Sequence, residues 1–260
     1  MKDSNNNAIV VQNNIKDKNI KNLVPQCPSA LMPLKKKLAF TLAEILITLG
    51  IIGVVAAMTI PNLITNYKAN RMRTQFLKSY STVQQAFKFM QEDDVSIDIN
   101  TYSAKMGSFY ETFKIYFKGA HFCGYYKNTS NILPCTGFLS QKYKSLDGKY
   151  TLDTDYFTDG QIVLPDGTLI LIDNPNWGDF VYIFVDLNGY GNPPNRAGYD
   201  LFAFQLIDEE LKAMGERGTT YTDFETYCNP KEANKFNGIA CAALAKSDTE
   251  YFKNLLKNKM

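Results

Sequence analysis

A single histidine, His121, and a single tryptophan stand among 260 residues, and Lys+Arg 28 nearly balances Asp+Glu 26 for a net charge of +2. Most hydrolytic and metal mechanisms draw on several histidines or clustered carboxylates, so the lone His121 beside Phe122 and Cys123 reads as structural. No Gly-x-Ser-x-Gly nucleophile elbow is present. These absences argue against an enzyme. A charge so balanced gives no reason to expect nucleic acid as a partner.

What the sequence does have is one long apolar run. Phe40 to Ile60 carries a single ionisable residue, Glu44. At about 1.5 Å per residue those positions reach roughly 30 Å, the thickness of a bilayer's hydrocarbon core. Lys35, Lys36 and Lys37 precede the run, and Lys68, Arg71 and Arg73 follow it, so flanking charge alone leaves orientation open. The run is too long for a secretory signal peptide. A plain transmembrane anchor is the simpler reading, but Glu44 inside a bilayer costs about 2.5 to 3.5 kcal/mol unless it finds a partner or snorkels to the headgroups. Gly50, Gly53, Ala56 and Ala57 allow close helix packing. Pro61 lacks an amide donor, which predicts a kink or loosening around Met58 to Asn62.

The stretch Lys35-Lys36-Lys37-Leu38-Ala39-Phe40-Thr41-Leu42-Ala43-Glu44 resembles the processing motif of type IV prepilins and the pseudopilins of type II secretion systems. The resemblance implies cleavage between Ala39 and Phe40 by a prepilin peptidase on the cytoplasmic face. It also implies N-methylation of Phe40, and Glu44 as the carboxylate that aligns subunits through a neighbour's N-terminal amine. Pro61 falls where many pilins have their helix-breaking proline. Ala39 stands where the family usually has Gly, which implies slower cleavage. The implied function is a structural subunit, pseudopilin or minor pilin, of a type II secretion or type IV pilus-like filament. Its implied partners are the peptidase, other subunits and an inner-membrane assembly platform. It would wait in the inner membrane as a single-pass protein, N-terminus cytoplasmic and head outside, before entering the filament. The competing function is a membrane-anchored extracytoplasmic binding or sensor domain that does not polymerise.

Three regions are therefore expected. Residues 1–39 are a leader, of which 1–31, rich in Asn, Lys and Asp, either make it unusually long or precede a true start at Met32. Residues 40–61 are the transmembrane and assembly helix, and 62–260 are the extracytoplasmic head. In the head, Phe76, Tyr80, Val83, Phe87 and Met90 recur at helical spacing and extend the first helix to about Glu92. Tyr102, Met106, Phe109, Phe113 and Phe117 predict a second helix from Thr101 to Lys118. Strands are expected over Gln161–Leu164 and Thr168–Asp173, joined by Pro165-Asp166-Gly167, then over Phe180–Asp186 and Leu201–Ile207. The fold class is α+β, a long N-terminal helix packed on a small antiparallel sheet of four strands, pilin-like. Residues 208–260 read as helical pieces and loops.

Cys27 lies in the leader, which leaves Cys123, Cys135, Cys228 and Cys241. An even number suits an oxidising compartment. Local pairs, Cys123 with Cys135 and Cys228 with Cys241, are favoured among three connectivities. A four-thiolate zinc site fits poorly, since zinc ligands lie two to four residues apart within a pair. The loop from Asp186 to Asp200 concentrates hard oxygen donors. Asp186, Asn188, Asn195 and Asp200 are candidate Ca²⁺ ligands, against the alternative of a turn whose Asx side chains bond their own backbone. The family's major pseudopilins carry a calcium site in a sheet-side loop, which this sequence does not match position by position.

Overall fold

The computed structural model describes residues 40–102, 105, 107–125, 133–137, 142–152, 157–174 and 180–258. The chain divides into two units, Met1–Leu49 and Gly50–Met260. Expectations for the leader, for Ala39 and Lys35 to Lys37, for Cys27 and for Met106 lie outside the described residues.

Helix α1 runs unbroken from Leu42 to Glu92, 51 residues, straight through Pro61. The Thr65 hydroxyl donates to the Pro61 carbonyl at 2.9 Å, so one carbonyl in that turn bonds a side chain. Up to Tyr67 the helix is apolar and almost entirely exposed. It contains a stretch long and apolar enough to cross a membrane. From Ala69 onward one face is buried through Phe76, Ser79, Val83, Ala86, Phe87 and Met90. The i, i+3, i+4, i+7 spacing explains why that half folds onto a core.

The core partner is a six-stranded antiparallel sheet, β1 (His121–Gly124), β2 (Gly160–Val163), β3 (Leu169–Asp173), β4 (Phe180–Asp186), β5 (Leu201–Ile207) and β6 (Glu210–Ala213), each strand beside its neighbour in sequence. Two strands thus extend the expected four. Ile170 and Ile172 pair with Val185 and Ile183, which pair with Phe202 and Phe204. These residues share one sheet face, since side chains alternate along a strand. Phe76 of α1 packs on that face, its ring centroid 4.9 Å from Phe202 and 5.8 Å from Phe204. The opposite face carries Gln161, Leu171, Phe184 and Asp186. It is covered by Phe157, centroid 5.0 Å from Phe184, and by Thr136, whose backbone exchanges two hydrogen bonds with the Gln161 amide.

The expected second helix is broken. A 3₁₀ turn (Ile99–Tyr102) is followed by α2 (Ser108–Phe113) and another 3₁₀ turn (Lys114–Tyr116). Gly107 between them has φ 78°, a left-handed conformation that interrupts helical hydrogen bonding. α2 still buries Phe109, Tyr110 and Phe113. Gly160 admits it, because a Cβ there would meet the Tyr110 ring at 2.3 Å. The C-terminal part forms α3 (Phe224–Tyr227), α4 (Cys241–Ser247) and α5 (Tyr251–Leu256). Phe252 of α5 closes on Phe76, centroids 6.0 Å apart, and Arg73 donates to the Asp248 carbonyl at 3.0 Å.

Candidate functional site

Two places carry the residues singled out by sequence. The first is the start of α1. Thr41 precedes the first helical residue, and Glu44 is the third residue of the helix. The Glu44 Oε2 accepts from the Thr41 N–H at 2.8 Å and from its hydroxyl at 3.0 Å, while the Thr41 Oγ1 accepts from the Glu44 N–H at 3.2 Å. This reciprocal arrangement is a capping box, which satisfies donors that a helix start otherwise leaves open. Glu44 therefore has a local partner that the sequence reading did not assign to it. The Thr-x-x-Glu spacing before an apolar run was the available signal. Phe40, the residue expected to become the N-terminus, is 80% exposed.

The second place is the loop between β4 and β5. Asp186 Oδ1 accepts from the N–H of Asn188 at 3.2 Å and of Gly189 at 2.9 Å, and the Tyr143 hydroxyl donates to its Oδ2 at 2.8 Å. Asp200 receives the N–H groups of Asn195 and Arg196 at 2.8 and 2.6 Å. Asn188 and Asn192 each donate a side-chain amide to the other's carbonyl, at 2.6 and 2.7 Å. The Asx side chains thus do build the turn from within. Outside contacts fix it further: Lys144 N–H donates to the Asn195 carbonyl at 2.8 Å, and the Tyr251 hydroxyl to the Gly198 carbonyl at 2.6 Å. A Cβ at Gly198, φ 75°, would lie 2.8 Å from the Cys241 sulfur, so the loop rests against a disulfide.

Burial and the nearby Asp200 charge push the Asp186 carboxyl up to about 7, against the hydrogen bonds it accepts. Burial likewise pushes Asp200 up to about 6. Burial and the Asp186 charge hold the Tyr143 hydroxyl well above its ordinary value. Asn188 Oδ1 and Asn195 Oδ1 are buried without a hydrogen-bond partner. Both carboxylates are thus occupied by donors of the protein itself, and the oxygens left without a partner are the Asn188 and Asn195 amides.

The cysteines pair Cys123 with Cys135 and Cys228 with Cys241. Half-cystine sulfurs are not thiolate ligands, which removes the zinc alternative and discounts the cluster of His121 with Cys123 and Cys135. His121 is exposed on β1. A cavity of about 530 Å³ is lined by Lys68 and Arg71 of α1 and by Asp166, Asn188, Pro194 and Asp200.

No protein-family profile, curated protein or solved structure matches this chain.

Proposed function

We propose that the chain is a structural subunit of a type IV pilin-like filament, a pseudopilin or minor pilin, made with a leader ending at Ala39 and assembled through α1. The observation that carries this reading is α1 itself. One continuous helix joins an exposed apolar half, with a single carboxylate in its first turn, to an amphipathic half that closes the core of a β-sheet head. The apolar half holds the subunit in the inner membrane until assembly, and parallel copies of it form the filament core. Cleavage before Phe40 creates an α-amino group one helical turn from Glu44. In the assembled state the carboxylate gives up its Thr41 contacts for the amine of an adjacent copy. The cap therefore serves the unassembled subunit and competes with assembly.

N-terminal mass analysis of the protein made with and without a prepilin peptidase tests this directly. The expected product with peptidase begins at N-methylated Phe40. An intact leader in its presence sinks the proposal and favours a tethered binding domain. Glu44→Ala is expected to be cleaved normally yet poorly incorporated. In the same reading Asp186, Asn188, Asn195 and Asp200 hold Ca²⁺ and lock the β4–β5 loop. A head melting temperature indifferent to both chelator and added Ca²⁺ removes that part alone.

A further inference from the structure

The cavity beside the β4–β5 loop lies where α1 changes solvent. Exposed apolar residues continue along the helix through Ile60, Leu63 and Ile64, and Tyr67, 68% exposed, ends the series. Tyrosine favours the boundary between membrane and water. Lys68 follows at once and Arg71 about one turn later, and both line the cavity together with Gln75. Lys68 stands four residues beyond Ile64, about 6 Å along the axis. That lies within the roughly 5 to 7 Å that headgroups add to each side of a bilayer's hydrocarbon core. Side chains on a helix lean toward its N-terminus, which here is toward the bilayer. Neither Lys68 nor Arg71 makes an ion pair or a side-chain hydrogen bond among the described residues. The two carboxylates of the lining are engaged, Asp166 by Lys78 at 2.6 Å and Asp200 by the N–H groups of Asn195 and Arg196.

We infer that this cavity is a binding site for the phosphodiester headgroup of an anionic phospholipid in the leaflet that α1 leaves, with Lys68 and Arg71 holding the phosphate. The Arg71 guanidinium can meet two phosphate oxygens at once, and Lys68 adds a compact charge beside it. The Gln75 amide and the Tyr199 hydroxyl, which also line the cavity and make no hydrogen bond among the described residues, are left for the polar end of the headgroup. A zwitterionic headgroup would bring its own cation in beside two others. The cavity also differs from basic residues that merely snorkel, because part of its wall comes from elsewhere in the chain, Asn188 and Asn192 of the β4–β5 loop and Leu256 of α5. A bound lipid therefore ties the loop and α5 to α1 at the level of the headgroups. The inference rests on the reading of α1's apolar half as membrane-spanning, and needs neither cleavage before Phe40 nor filament assembly.

The test titrates full-length chain in detergent with phosphatidylglycerol and, separately, with phosphatidylcholine, and counts retained lipid by native mass spectrometry. Phosphatidylglycerol should bind about ten-fold more tightly or better, since each basic residue near a headgroup favours an anionic lipid by about five-fold. Lys68→Gln combined with Arg71→Gln should abolish the preference. Lys88→Gln, on the same helix but outside the cavity lining, should keep it. Bound phosphatidylglycerol should also slow amide exchange at Asn188, Asn192 and Leu256, which snorkelling on α1 alone would not do. Intact disulfides and an unchanged melting temperature confirm that each variant folds. Equal binding of the two lipids, a preference that survives the double variant, or unchanged exchange in the loop overturns the inference. Displacement of the lipid by soluble glycerol phosphate would mean that the site takes a free phosphate, and overturns the lipid as its source. A chain that carbonate strips from vesicles removes the membrane reading and the inference together, whereas insertion without lipid preference removes the inference alone.

Discussion

The two halves of α1 obey the same helical geometry and answer to different solvents. From Phe40 to Ile60 large apolar side chains are exposed all round, with Leu42, Ile47, Ile52 and Met58 at 78, 62, 63 and 71%. From Ala69 to Met90 the buried apolar residues keep to one face, Phe76, Val83 and Met90 fully so, while Phe89 stays exposed. An all-round apolar surface needs lipid or other helices about it, whereas a one-sided one needs only the sheet beneath it. Continuity through Pro61 joins the two without a connecting loop.

The sharpest way to separate them is a matched truncation in detergent. Phe76→Ala should destabilise the head by about 3 to 5 kcal/mol by denaturant unfolding, because its ring meets Phe202, Phe204 and Phe252. Ile52→Ala should leave head unfolding unchanged, and a comparable loss there would mean that the apolar half contributes to the core. Next in size, Cys228→Ser with Cys241→Ser should cost about 3 kcal/mol by freeing a short loop in the unfolded chain, and should loosen α4 and the β4–β5 loop while leaving α1's apolar half unaffected.

A smaller effect follows from acidity. Asp186 and Asp200 have folded pKa values near 7 and 6, above the ordinary 3.8. Raised carboxyls favour the folded state in their protonated form. Their contribution is therefore fully present below about pH 4, and is lost as pH rises through 6 and 7. In chelator, head stability should fall over that window, and Asp186→Asn should flatten the fall; a curve of unchanged steepness would refute it. Smallest of all, Lys78→Ala should cost no more than about 1 kcal/mol, since its ion pair with Asp166 is largely exposed. A larger loss would mean that this half of α1 depends on the β2–β3 turn as well as on its buried face.

The legible parts of the fold were those with strong periodicity. The α1 stripe and strands β2 to β5 carry runs long enough to declare themselves. β1 and β6 are four residues each. β6 enters through Asp208 and Glu209, both at positive φ, 51 and 59°, a turn without the Asn-Gly or Asp-Gly signature that marks such hairpins. Gly107 lies inside the expected second helix and splits it, at φ 78°. At the sites, the hard-oxygen loop was visible in composition. Tyr143 was not, since it comes from a segment 43 residues away to donate to Asp186. Thr41 was read for its place in the processing motif, and its capping role needed geometry to appear.

The sheet order has a consequence for biogenesis. Every strand pairs with the one before it in sequence, and contacts that reach back to α1 from the far end include those of Lys246, Asp248 and Phe252. A chain that emerges with α1 first could add β1 to β6 one at a time, each onto a finished edge, because no strand of the sheet waits for a later one. Only α5 must arrive before Phe76 is sealed on its last side. The C-terminal residues thus act as a latch on a sheet otherwise assembled in chain order, and a chain cut short after β6 should retain its sheet while leaving that side of α1 open.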